Sequence, residues 1–123
     1  MRRSLVVLVV ALAAIGLFTG GLAWLLDTDR PPAGATREHR LYVALCAQCH
    51  GVDGRGSWRA TLLLIRPGDF TDRARMHEHT DQYLFDIVKN GGAPFGRPGM
   101  PSFGHLPDAD LQALVRYVRR LGT

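Results

Sequence analysis

Cysteine is scarce in this chain: there are two in 123 residues, Cys46 and Cys49. A zinc site built from four cysteines is therefore excluded. A mixed site with His77 and His79 matches no common finger spacing. No βαβ pattern surrounds the pair, which argues against a thioredoxin-like redox motif. A disulfide across one helical turn would constrain little. Strand patterns are also missing, so the fold class is all-α. The chain has no internal repeat and no low-complexity tract. Surplus charge is small, at +4 overall. Setting aside Arg2, Arg3, Arg30, Asp27 and Asp29 leaves 12 basic against 9 acidic side chains. That excess is too small to argue nucleic-acid binding.

What the chain does have is Cys46-Ala47-Gln48-Cys49-His50. CxxCH is the spacing that attaches a c-type haem. Each sulfur can form a thioether to one haem vinyl group. The histidine that follows can place an imidazole nitrogen on the iron as proximal ligand. The chemistry needs that order: two anchors one helical turn apart, then a ligand aimed at the metal they hold.

The N-terminus carries the second signal. Met1-Arg2-Arg3 precedes 23 residues without charge, Ser4 to Leu26. A helix of that length reaches about 34 Å, against a hydrocarbon core of about 30 Å. The alternative is a cleaved signal peptide, with an apolar region of about 7–15 residues. This run is longer, and Trp24-Leu25-Leu26 continues it past the small residues Gly21-Leu22-Ala23. The reading favoured is a retained single-pass anchor, residues 1–26. Arg2 and Arg3 before the run, and Asp27 and Asp29 after it, predict a cytoplasmic N-terminus. The remaining chain then lies on the periplasmic side of a bacterial inner membrane, where CxxCH haem attachment takes place. Gly16, Gly20 and Gly21 offer small-residue surfaces for helix packing. Residues 27–35 (DTDRPPAGA) have no apolar periodicity and read as a Pro-rich linker. Fully extended, they reach about 30 Å. Residues 36–123 form one small domain, whose modest core a haem would supplement.

Within that domain Thr36 is a candidate N-cap. Tyr42, Leu45, Cys46 and Cys49 recur at i, i+3, i+4 and i+7, on one face of a helix that ends at His50-Gly51. The run Gly51-Val52-Asp53-Gly54-Arg55-Gly56 follows no strand and is not a phosphate loop; its glycines suit turns close to a flat cofactor. Trp58 to Ile65 is apolar and cannot be typed. Thr80 caps a helix over Asp81 to Lys89, which Asn90-Gly91-Gly92 stops. Ala93 to Gly104 is a loop. The last helix starts near Pro107-Asp108, with Leu111, Leu114, Val115 and Val118 as its stripe. Asp108 and Asp110 favour its N-terminus, and Arg116, Arg119 and Arg120 its C-terminus.

A low-spin electron-transfer haem needs a sixth ligand. Met76, Met100, His39, His77, His79 and His105 are available. Met100 stands out in Arg97-Pro98-Gly99-Met100-Pro101-Ser102-Phe103, where prolines stiffen the loop and core filling is a poor explanation for a methionine. Met/His ligation also raises the haem potential. Met76 lies in a charged, surface-like stretch, Arg73 to His79. His77 and His79 read as a solvated polar turn, and His105 as a loop residue.

These elements resemble the class I c-type cytochromes, in a membrane-anchored monohaem form. The resemblance spans Thr36 to Thr123. It rests on the CxxCH motif, the Asp53-Gly54-Arg55-Gly56 loop, Asn90-Gly91-Gly92, Met100-Pro101 with Phe103, and the tyrosine-bearing last helix. It implies a small fold around one covalent haem c, with the first and last domain helices crossing at Tyr42 and Tyr117. Many members carry a glycine one turn before the aromatic, where this chain has Glu38. The resemblance also implies that a backbone carbonyl, by position that of Pro67, accepts the free N–H of His50. Trp58 and Arg59 are candidates for propionate contacts.

The function expected is one-electron transfer by a tethered carrier. Cys46, Cys49, His50, Met100 and Pro67 hold the haem, and His50 and Met100 ligate its iron. Partners would be membrane redox complexes: a quinol-oxidising complex, a terminal oxidase, a reaction centre or a dehydrogenase. The carrier is either a shuttle or a fixed subunit, and in neither case an enzyme by itself. Two other readings stay open: a haem with an open sixth position, acting as gas sensor or peroxidase, and an assembly subunit whose haem only stabilises the domain.

Overall fold

The computed structural model describes residues 2–123. Among them there are seven α-helices, one 3-10 turn and no strand. The apolar run forms α1 (Arg2–Leu26), which buries none of its residues. It is long and apolar enough to cross a membrane.

The domain begins where Thr36 caps α2 (Arg37–Leu45), its hydroxyl accepting from the His39 N–H at 3.4 Å. The helix hitches at Cys46 (φ −115°) and resumes as α3 (Ala47–His50). The sequence predicts one uninterrupted helix here. The difference is slight, because the Cys46 N–H still bonds to the Tyr42 carbonyl and the His50 N–H to that of Cys46. Its effect is to turn Ala47 into the core and leave both cysteines half-buried.

Gly51 ends α3 at φ +75°, where a Cβ would stand 3.0 Å from the Gly56 carbonyl oxygen. The loop then folds back on the motif, with the Gly56 N–H on the His50 carbonyl (2.7 Å) and the Ser57 N–H on that of Cys49 (2.9 Å). The untyped segment forms α4 (Trp58–Leu62), capped by Ser57. A further helix, α5 (Arg73–Glu78), occupies the stretch read as a charged surface. Asp72 caps it, and Met76 is buried. A six-residue helix whose only apolar side chains are Ala74 and Met76 has no periodicity to read, and its support is tertiary. Arg119 donates to the carbonyls of Met76 and His79 and pairs with Asp81 at 2.8 Å.

Thr80 caps α6 (Asp81–Asn90), as expected. The last helix, α7 (Asp108–Leu121), buries Leu111, Leu114, Val115 and Val118 in the anticipated stripe. It packs against α2 and α6. At the α2–α7 crossing the Tyr42 and Tyr117 rings meet at 4.8 Å, and Tyr42 is fully buried. Glu38 does not prevent this approach, because its carboxylate turns outward to Arg120 at 3.0 Å. The other end of the crossing is closed by Arg37, whose Nε and Nη2 both bond the Asp110 carboxylate at 2.7 Å. This fork geometry makes the pair directional. The Arg37 hydrogen bonds hold the Asp110 carboxyl below its ordinary range, against the opposing effect of burial.

Candidate functional site

Helices α5, α6 and α7 and the loop after α6 enclose one apolar cleft of about 650 Å³, counted to its open mouth. Leu84, Ile87 and Val88 line it from α6, Val115 and Val118 from α7, and Met76 from α5. His50 enters from α3, and Met100 from the loop. The rim carries Arg75 and Arg97.

His50 is aimed by two contacts. Its ring stacks on Phe70 at 4.3 Å and 13° between planes. Its Nδ1 lies 3.2 Å from the Gly68 carbonyl oxygen. The carbonyl is thus that of Gly68, not of Pro67: the loop turns one residue later than position suggests, and Gly68, not Pro67, lines the cleft. An N–H on Nδ1 leaves Nε2 with the free lone pair, so this contact selects the tautomer a metal needs. Burial lowers the pKa of His50; the nearby Arg97 acts in the same direction and the Gly68 carbonyl opposes it. A neutral imidazole is the ligating form.

Cys46 and Cys49 stand half-buried on the turn before His50. Burial, reinforced by Cys49, pushes the Cys46 thiol up to about 12.

Met100 is half-buried, and its loop is pinned to the end of α6. The Gly92 N–H bonds the Met100 carbonyl at 2.9 Å, the Arg97 N–H that of Gly92 at 2.8 Å, and the Phe103 N–H that of Val88 at 3.0 Å. Backbone bonds as well as prolines thus fix the methionine. Of the six residues offered as sixth ligand, three line the cleft: Met100, Met76 and His79. Met76 belongs to the core cluster, and His79 stacks on Tyr83 at 4.4 Å. His39 stacks on Tyr117, and His77 and His105 are exposed.

Trp58 and Arg59 are absent from the cleft lining. Arg59 instead faces the end of α1, which corrects the propionate reading: its Nε donates to the Leu25 carbonyl at 3.3 Å, and its Nη2 to that of Asp27. The cationic rim formed by Arg75 and Arg97 was not singled out in the sequence. Arg97 had a visible signal, its place in the methionine loop, whereas Arg75 depends on the unforeseen α5.

The family model for cytochrome C oxidase, cbb3-type, subunit III matches residues 33–118. The chain belongs to that family. This cytochrome also resembles a solved structure, the KustC0563 c-type cytochrome, with 27% identity and a TM-score of 0.60 over 72% of this chain and 100% of that one. No curated protein matches it. It is a class I c-type cytochrome, and its cofactor is a covalent haem c. The residues fit such a group. An aliphatic cleft suits a flat apolar macrocycle, a neutral imidazole suits iron, and cationic side chains at the mouth suit carboxylates. Transfer of electrons through that haem is the activity the family carries.

Proposed function

We propose that this cytochrome is a membrane-tethered, one-electron carrier in which Cys46 and Cys49 would hold the haem and His50 and Met100 would ligate its iron. The observation that supports it best is the placement of His50 and Met100 in one apolar cleft, with the cysteine pair on the helical turn that leads into His50. When bound, the haem iron supplies a one-electron couple between Fe(II) and Fe(III). With both ligands in place the chain would leave the iron no open position. Gly68 holds the His50 tautomer, and the bonds from Gly92 and Phe103 keep the methionine loop shut against α6. Its soft sulfur favours the reduced iron and raises the potential. The aliphatic walls exclude water, which acts in the same direction. No substrate bond is made or broken.

Helix α1 supports anchoring in the bacterial inner membrane, with the N-terminus cytoplasmic and the haem domain (residues 36–123) periplasmic. Confinement raises the effective concentration near membrane partners. The family description, that of an oxidase subunit, supports a membrane redox complex as partner; in this reading a terminal oxidase is the electron acceptor and the chain a fixed subunit.

Gentle detergent extraction of tagged protein, with identification of what co-purifies with the haem stain, tests the assignment. Stoichiometric recovery with oxidase subunits supports the fixed-subunit reading. Recovery of the haem-bearing chain alone from membranes contradicts that reading and leaves a tethered shuttle.

A further inference from the structure

Segment α4 and its exit were not absorbed by the haem site. Leu62, Leu63 and Leu64 are 64%, 68% and 92% exposed, three consecutive leucines on the surface of a small domain. A contiguous apolar patch of this kind marks an interaction surface. Its backbone is unusual too. Helix α4 ends in a Schellman-type closure, with the Ile65 N–H on the Ala60 carbonyl (2.8 Å) and the Leu64 N–H on that of Thr61 (3.0 Å). This closure puts Leu64 at φ +57°, in the left-handed conformation that glycine normally supplies. Leu64 is the only non-glycine with positive φ among the described residues. A leucine there is strained, and nothing inside the chain compensates, because the side chain points into solvent.

The position of the ridge decides what covers it. Trp58, at the start of α4, stacks on Trp24 of α1 at 5.1 Å and 18° between rings. Arg59 donates to the carbonyls of Leu25 and Asp27, satisfying backbone acceptors at the end of α1. It also pairs with Asp29 at 3.8 Å. Helix α4 is thus clasped to the last turn of the apolar helix. At 25 residues, α1 reaches about 38 Å, longer than the hydrocarbon core of about 30 Å. Its last turn therefore falls in the headgroup region, the depth that tryptophan prefers. Leu62 lies one turn beyond Trp58 on the same face of α4, about 6 Å along the axis. Arg66, exposed just beyond the ridge, can set its charge among phosphates while its stem lies along lipid.

We propose that Leu62, Leu63 and Leu64, with Trp58, insert into the lipid interface beside the end of α1, giving the haem domain a second membrane contact and a fixed orientation. The proposal rests on the membrane anchoring stated above.

The test uses the full haem-loaded chain in phosphatidylcholine–phosphatidylglycerol vesicles. Haem attachment consumes Cys46 and Cys49, so a nitroxide placed through Leu63→Cys is the single label. Its collision rates with oxygen, which partitions into lipid, and with a water-soluble nickel complex report depth. Gly20→Cys in α1 and Gln112→Cys on the exposed side of α7 serve as lipid and water references. The expected result is a Leu63 label several-fold closer to the Gly20 reference than to the Gln112 reference. A water-like Leu63 label with a lipid-like Gly20 label overturns the ridge proposal and leaves the anchor, making the patch a protein-docking surface. Water-like signals at both sites overturn the anchor reading and the ridge with it. If Leu63→Cys fails to load haem, Leu62→Cys gives the same comparison.

Discussion

Replacing Gly92 with alanine should open the sixth coordination position without touching either proposed ligand. An ideal Cβ at Gly92 would stand 2.0 Å from the Arg97 carbonyl oxygen and 2.9 Å from its carbonyl carbon. Ordinary contact begins near 3.4 Å, so that oxygen must retreat by about 1.4 Å, the difference between the two distances. The retreat breaks the 2.8 Å bond from the Arg97 N–H to the Gly92 carbonyl and strains the 2.9 Å bond from the Gly92 N–H to Met100. Overpacking of this kind costs about 1–3 kcal/mol. For a domain of this size, each kcal/mol lowers the midpoint of thermal unfolding by about 4–8 °C. Metal–ligand distances tolerate only about 0.2 Å, so a loop moved by more than 1 Å does not hold its sulfur on the iron. The reduction potential should fall and the reduced haem should bind carbon monoxide. The assays are thermal melting, redox titration and a carbon monoxide difference spectrum. Gly99→Ala is the control, because a Cβ there would meet only Ile65, at 3.6 Å. A Gly92→Ala protein with the parent's midpoint, potential and inertness to carbon monoxide would refute the idea that these loop bonds position Met100.

Three further outcomes follow from the packing and the ion pairs. Leu114→Ala should cost about 2–5 kcal/mol, because Leu114 is only 1% exposed between α2 and α6, and chemical denaturation measures it. Arg119→Ala leaves the Met76 and His79 carbonyls short of a donor and should cost about 1–3 kcal/mol, with amide exchange accelerating first in α5. The Arg37–Asp110 pair has a pH signature. Because Asp110 titrates lower when folded than its ordinary value, the pair stabilises fully above about pH 4 and loses its effect as pH falls through the lowered value. Parent and Asp110→Asn should therefore differ in melting midpoint at pH 7 and converge as the pH drops below about 4. A gap that stays constant to pH 2 contradicts this.

The parts of the site legible in the sequence are those fixed by local chemistry. CxxCH carries its own geometry, and the Thr36 and Thr80 caps and the Leu111–Leu114–Val115–Val118 stripe follow from one helix each. What escaped depends on contacts between distant segments. Helix α5 has one large apolar residue, Met76, and is held by Arg119, about forty positions away. The carbonyl facing His50 belongs to Gly68 because of how the loop closes on Phe70. Arg59 satisfies backbone carbonyls at the end of α1, a partner that no spacing rule names. Met76 read as surface because its neighbours are charged, yet α5 turns it inward.

The central claim is that His50 and Met100 close the iron on both sides. Carbon monoxide added at neutral pH to the reduced, intact, haem-loaded protein tests it most directly. The account predicts no change in the visible spectrum of the parent, none for Met76→Leu, and a full shift for Met100→Ala. A full shift in the parent would show an open sixth position and contradict the carrier mechanism.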